Sequence, residues 1–217
     1  MSDIVEWINK PIDDSNASRV LWVNGPAGTG KTALAQSVAE ICQRNGQLGA
    51  SFFFPRTTGA QGSKMASKLV LTLAYQLAVS LPEVGQTIGE LVAGNLSILD
   101  KSLEIQLQQL IVGPMSSAEK VMVVVIDGLD VCEEVIVQRQ VMSLLAAGAD
   151  DIPSLRFIVT SRNTAWMREG FASDSLHQKA YEICTDRTLP ERKDMGVLLR
   201  EGFTRVLTTL WRSNSIP

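Results

Sequence analysis

A chain of 217 residues, 45% hydrophobic and 20% charged, has the composition of an ordinary globular protein with a substantial core, enough for one large domain or one domain and the start of another. Its net charge of −3, with basic residues scattered along the chain, leaves no electrostatic footprint for nucleic acid or an anionic membrane surface. No apolar run approaches bilayer-spanning length, and the acidic, amphipathic start around Asp3, Glu6 and Trp7 is wrong for a signal or transit peptide, so a cytoplasmic protein is expected.

Ile4, Val5, Trp7 and Ile8 make residues 3–9 a short helix, followed by a polar linker over 11–18. Residues 19–24, Arg-Val-Leu-Trp-Val-Asn, then read as a buried strand. The strand runs into Gly25, Pro26, Ala27, Gly28, Thr29, Gly30, Lys31 and Thr32, and the next stretch carries Leu34, Val38, Ile41 and Cys42 at helical spacing. Strand, G-x-x-x-x-G-K-[ST] and helix in that order are the sequence form of a phosphate loop. Glycines let the backbone curl so that successive N–H groups converge on an anion, and the helix N-terminus adds its partial positive charge there. All eight loop residues are expected to line the nucleotide, with Lys31 reaching the β- and γ-phosphates and the Thr32 hydroxyl holding Mg²⁺. The ligand is expected to be ATP or GTP, since no stretch shows an unambiguous guanine-reading motif. A glycine-rich turn merely joining strand to helix is the bland alternative, and both flanking elements argue against it.

The first long helix is expected to end near Asn45 and Gly46, and residues 48–54 to form a second strand stopped by Pro55. A surface loop is expected over 56–63. Helices follow over 64–80, with Leu69, Val70, Leu73 and Leu77 at helical spacing, then around Val84, Ile88, Leu91 and Val92, then over 103–111. They form an insertion before a third strand at 121–127, which is apolar on both faces as a central parallel strand must be. A helix over 135–147, a strand over 155–160, a short helix over 165–171, a fifth strand over 180–184 and a final helix over 194–211 complete the pattern. Strands alternating with helices predict an α/β fold: a P-loop NTPase with a doubly wound, five-stranded parallel sheet and helices on both faces. The expected division is a helix and linker over 1–18, the nucleotide domain over 19–186, and the start of a further helical region over 187–217.

In such a sheet every strand ends on one edge, where ligands bind. Asp127, at the end of an apolar strand, is placed to hold Mg²⁺ directly or through water; capping the next helix is its plainer role. For Asp130, orienting an attacking water competes evenly with helix capping, while Glu133 and Glu134 fall in a first helical turn where acids are electrostatically favoured. Arg162, just past the fourth strand, would face the γ-phosphate with its fixed fork, against the alternative of a surface loop arginine. Asp130, Asp127 and Arg162 are thus the residues expected to carry any catalysis. His177 has no triad or metal constellation available, and Cys42, Cys132 and Cys184 lack metal-ligand spacing and read as reduced core residues.

The phosphate loop and its strand, residues 50–56 (Ala-Ser-Phe-Phe-Phe-Pro-Arg), 73–77 (Leu-Ala-Tyr-Gln-Leu), 126–130 (Ile-Asp-Gly-Leu-Asp) and 157–162 (Phe-Ile-Val-Thr-Ser-Arg) together resemble the NACHT domain of fungal NOD-like, STAND-class P-loop NTPases, over roughly residues 3–172. The resemblance implies that Lys31 and Thr32 are the Walker A lysine and Mg²⁺ ligand, Asp127 the Walker B aspartate and Arg162 the sensor arginine. It implies a switch between a diphosphate-bound resting form and a triphosphate-bound form that oligomerises and signals, in self/non-self or innate-immunity-like systems. Other protein domains or further copies of the chain would then be its partners, without nucleic acid or membrane. The family commonly continues the Walker B segment as Asp-Glu-Cys, whereas this chain has Asp130-Val131-Cys132, so slow or vestigial hydrolysis is expected. The winged-helix region and repeat sensor domain that follow in the family are missing, so a fragment or a short gene product is expected. The rivals are a P-loop small-molecule or nucleotide kinase, which would need an arginine-rich lid, and a nucleotide-bound interaction module without turnover.

Overall fold

The unbroken apolar run Met122-Val123-Val124-Val125-Ile126 can be satisfied only where both faces of a strand are covered, and it is buried along its whole length. In the computed structural model, which describes residues 2–10, 18–54, 60–131, 135–174 and 176–185, this run is β3 (Met122–Asp127). It joins β1 (Val20–Asn24), β2 (Leu48–Phe53), β4 (Leu155–Ser161) and β5 (Ala180–Cys184) in one sheet of order β2-β3-β4-β1-β5. Every pairing is parallel, so the predicted five-stranded α/β fold is the observed one. The helices are α1 (Ser2–Ile8), α2 (Lys31–Arg44), α3 (Ala60–Ser80), α4 (Pro82–Gly94), α5 (Leu103–Leu107), α6 (Gly113–Met115), α7 (Val135–Asp151) and α8 (Ala165–Phe171).

The strand order dictates which helix covers which face. From β1 the chain crosses to the far edge at β2, then steps back through β3 and β4 and over β1 to β5. Right-handed crossovers in opposite directions lie on opposite faces. Accordingly Leu21, Val23, Val123, Val125 and Ile158 pack with Ala35, Val38 and Cys42 of α2 and with Ile4, Trp7 and Ile8 of α1. Val20, Trp22, Val124, Ile126, Phe157 and Val159 face the other way, into a larger core with α3, α4, α7 and α8. Trp22 stacks on Phe171 at 4.3 Å and donates its indole N–H to Ser161 Oγ at 2.8 Å.

The helices inserted between β2 and β3 differ in detail from the expected spans. Helix α3 begins at Ala60, so residues 60–63 are helical where a loop was expected; extending a formed helix costs little per residue, and one glycine costs only about 1 kcal/mol. The span expected as one helix over 103–111 is α5, a π turn over Gln108–Val112 and α6, preceded by a 3₁₀ turn over Leu96–Asp100. Helix α2 ends as expected at Asn45 and Gly46, where Gln47 N–H donates to Cys42 O and Gly46 N–H to Gln43 O.

Both the open edge of β2 and the first helix are held by side chains. Gln76 of α3 mimics a neighbouring strand: its Oε1 accepts from Ser51 N–H at 2.8 Å and its Nε2 donates to Ser51 O at 2.9 Å. Helix α1 is held from β4, where buried Arg156 donates to Trp7 O at 2.9 Å and to Lys10 O, with its guanidinium 5.4 Å from the Trp7 ring centroid. Among the described residues no helix is long and apolar enough to cross a membrane. The final helix expected over 194–211 lies outside the described residues.

Candidate functional site

The phosphate loop leaves β1 at Asn24 and enters α2 at Lys31. Gly30, at φ 83° and ψ 10°, is the N-cap of α2 and accepts the first helical bond, from Leu34 N–H at 2.8 Å. Left-handed backbone at this position is open to glycine at no steric cost. The amides of the first helical turn have no intrahelical acceptor, the arrangement that suits a helix N-terminus to an anion. Gly25, at φ 151°, has a second constraint: a Cβ there would stand 2.1 Å from Thr185 Oγ1.

Lys31 is half-buried and folds back over its own loop. Its Nζ donates to Gly25 O at 2.8 Å, to Pro26 O at 2.6 Å and to Thr29 Oγ1 at 3.3 Å. Thr32, Pro26, Ala27 and Gly28 are exposed. A phosphate entering the loop would therefore compete with carbonyl oxygens for the lysine, and a charged acceptor wins that exchange.

Strand β4 lies between β1 and β3, so its C-terminal residues separate the loop from Asp127. Side-chain alternation puts Asp127 and Thr160 on the face that α2 covers. Asp127 is 5% exposed, and its Oδ1 accepts from Thr160 Oγ1 at 2.5 Å. Gly128 N–H donates to Thr160 O and Oγ1, each at 3.1 Å. The carboxylate is thus held through Oδ1 on the face of the sheet that α2 covers. One carboxylate and one threonine hydroxyl suit Mg²⁺, which takes few protein oxygens and completes its shell with phosphates and water. Among the described residues no cluster of three or more His, Cys, Asp or Glu side chains forms a self-sufficient metal cage.

Asp130 and Arg162 are brought together, but onto each other. Asp130 Oδ1 accepts from Arg162 N–H at 2.9 Å and Oδ2 accepts from Arg162 Nε at 2.5 Å. The Asp130 side chain is 6% exposed and that of Arg162 57%. Neither Nη of the arginine bonds a described residue, so the pairing leaves the outer end of the fork toward solvent. Asp130 acts here as an arginine holder, a role in neither of its two sequence readings. Glu133, Glu134 and Cys132 lie outside the described residues. His177 is exposed, and Cys42 is buried with its thiol pushed up to about 11 by desolvation, which keeps it protonated and unreactive at neutral pH.

Two contributors escaped the sequence, Glu182 and Thr185, and a third, Thr160, was placed at the sheet edge by the sequence without a role. Thr160 orients Asp127; Glu182 Oε1 accepts from Asn24 Nδ2 at 2.6 Å; and Thr185 Oγ1 donates to Asn24 O at 3.0 Å. The available signal was the same for all: a polar residue in the C-terminal half of a mostly apolar strand or just after it.

Residues 2–162 match the family described as nephrocystin 3, N-terminal. The chain belongs to the nephrocystin 3 N-terminal family. No curated protein matches it. The nephrocystin 3 N-terminal match begins in α1 and runs through the phosphate loop, Asp127 and Asp130 to Arg162, so every expected site residue falls inside it, while β5 with Glu182 and Thr185 falls outside.

Proposed function

We propose that the chain is a nucleoside-triphosphate-binding switch of the STAND/NACHT type, with slow or vestigial hydrolysis. The observation that carries this reading is the glycine-shaped loop at the N-terminus of α2, with Asp127 fixed across β4 on the same face of the sheet. Loop amides and Lys31 would take the β- and γ-phosphates, and Thr32 and Asp127 would hold Mg²⁺, which supplies charge neutralisation between the phosphates. Arg162, held by Asp130, would offer its outer nitrogens to the γ-phosphate. A diphosphate lacks that group, which gives the site a means of telling the two states apart. The resemblance to NACHT domains supplies the signalling part of the reading, with self-association or other domains as the partners of the triphosphate form.

The experiment is calorimetric titration of the chain with Mg·ATP, Mg·GTP and the diphosphates. Lys31→Ala removes one charge-assisted contact of about 1.5–3 kcal/mol, so triphosphate affinity should fall roughly 10- to 100-fold. Melting temperature should change little, because the lysine is only half-buried and its bonds to Gly25, Pro26 and Thr29 lie within its own loop. Equal affinity of wild type and variant would remove the proposed pocket. The pairing of Asp130 with Arg162 also favours the neighbouring reading, a nucleotide-bound interaction module with no turnover, and phosphate release separates the two.

A further inference from the structure

Thr185, the residue after β5, is 4% exposed and reaches both ends of the phosphate loop. Its Oγ1 donates to Asn24 O at 3.0 Å, where the loop leaves β1, and lies 2.8 Å from Thr29 Oγ1, near the start of α2. Thr29 Oγ1 in turn donates to Pro26 O at 3.0 Å. Each hydroxyl has one hydrogen and two lone pairs. Three arrangements use both hydrogens: Thr29 to Thr185 to Asn24 O; Thr185 to Thr29 to Pro26 O; or Thr185 to Asn24 O beside Thr29 to Pro26 O. In each, the Thr185 hydroxyl bonds the loop or the strand end that the loop leaves, and in the first it bridges the two ends. The same hydroxyl occupies the space a Cβ on Gly25 would need. A second tie from β5, Glu182 to Asn24, holds the same strand end.

Residues 26–28 are exposed, and ordering such a segment costs conformational entropy that must be met before or during binding. We infer that Thr185 is a positioning residue for the phosphate loop: its hydroxyl, accepting from Thr29 and donating to Asn24 O, ties the loop's two ends together, so that affinity for a nucleoside triphosphate depends on a residue just after β5 that never touches the ligand. The inference rests on the nucleotide-binding reading for its affinity arm and on the unliganded protein alone for its exchange arm.

The test uses the full chain with Thr185→Val, which keeps the shape and deletes the hydroxyl, Thr185→Ala as a second deletion, and Thr185→Ser, which keeps the hydroxyl. Amide hydrogen exchange of residues 25–30 is followed without nucleotide, and Mg·ATP and Mg·GTP are titrated by calorimetry. Both deletions should speed exchange in the loop several-fold and weaken triphosphate binding about 3- to 10-fold, the worth of one neutral hydrogen bond. Thr185→Ser should restore both to within about twofold. Wild-type exchange in the loop of both deletion variants overturns the inference, and so does a Ser variant as impaired as the Val variant, which would assign the effect to packing. If the wild-type chain binds neither nucleotide, the functional reading falls while the exchange arm still decides whether Thr185 braces the loop.

Discussion

A single ion pair decides what the arginine at the sheet edge can do. An exposed arginine sweeps a large volume, and fixing it before ligand arrives saves entropy that binding would otherwise lose. Asp130 does this by accepting from both the backbone N–H and Nε of Arg162. Arg162→Ala should therefore weaken triphosphate roughly 10- to 100-fold more than diphosphate, the worth of a charge-assisted contact made only to the γ-phosphate. Asp130→Ala should reproduce part of that loss, and the double variant should lose no more than Arg162→Ala alone, since the aspartate acts through the arginine. Calorimetry on the four proteins with both nucleotides checks this; additive losses, or equal losses for the two nucleotides, would separate Arg162 from the γ-phosphate. The positions of Lys31, Thr32 and Asp127 were legible because strand, loop and helix motifs fix them by chain geometry alone. The partnership of Asp130 and Arg162 was not, because residues 32 apart meet only once β3 and β4 pair.

At the scale of elements, α1 shows how a weak local signal becomes a firm structure. Seven residues are too few to hold a helix in water. The helix persists because Ile4, Trp7 and Ile8 are buried in the core that α2 also enters. Arg156 adds a cation at its C-terminal carbonyls, where the helix dipole favours one. Its placement inside β4 broke the apolar pattern of that strand for a reason invisible in sequence, since the acceptors lie near the other end of the chain. Trp7→Ala should lower stability by about 3–5 kcal/mol and Arg156→Met by about 1.5–3 kcal/mol. Chemical denaturation at neutral pH would measure both. A loss under about 0.5 kcal/mol for Trp7→Ala, the range of surface substitutions, would mean that α1 only rests on the surface. The short helices after α4 were the least legible elements, because a π turn and a 3₁₀ turn break the 3.6-residue period.

For the whole molecule, alternation of strands and helices announced the parallel sheet, but not the order of its strands. That order depends on which way each crossover steps, and nothing local encodes it. The order matters chemically, because β4 between β1 and β3 delivers Thr160 to Asp127 and Arg162 to Asp130, so that both expected acids are engaged within the chain. Phosphoryl transfer to water needs a group that orients the nucleophile as well as charge neutralisation. Lys31, Mg²⁺ and Arg162 supply neutralisation in the proposed reading, while Asp127 is assigned to Mg²⁺ and Asp130 is bound to Arg162, so neither expected acid is free to orient water. Lack of that group costs about 10²–10⁴ in rate, so turnover of Mg·ATP or Mg·GTP by the isolated chain should stay below about one per minute. The glutamate that the NACHT pattern carries after Asp130 is valine here, and Val131 packs against the core on the α7 face, away from the face of Asp127. Val131→Glu should therefore fail to raise turnover and should lower stability, since it turns a carboxylate toward apolar neighbours. Phosphate release and thermal melting, measured on wild type and Val131→Glu, decide the matter. Fast wild-type turnover, or acceleration by Val131→Glu without loss of stability, would place a water-orienting acid at this turn and leave Asp130 as only an arginine holder.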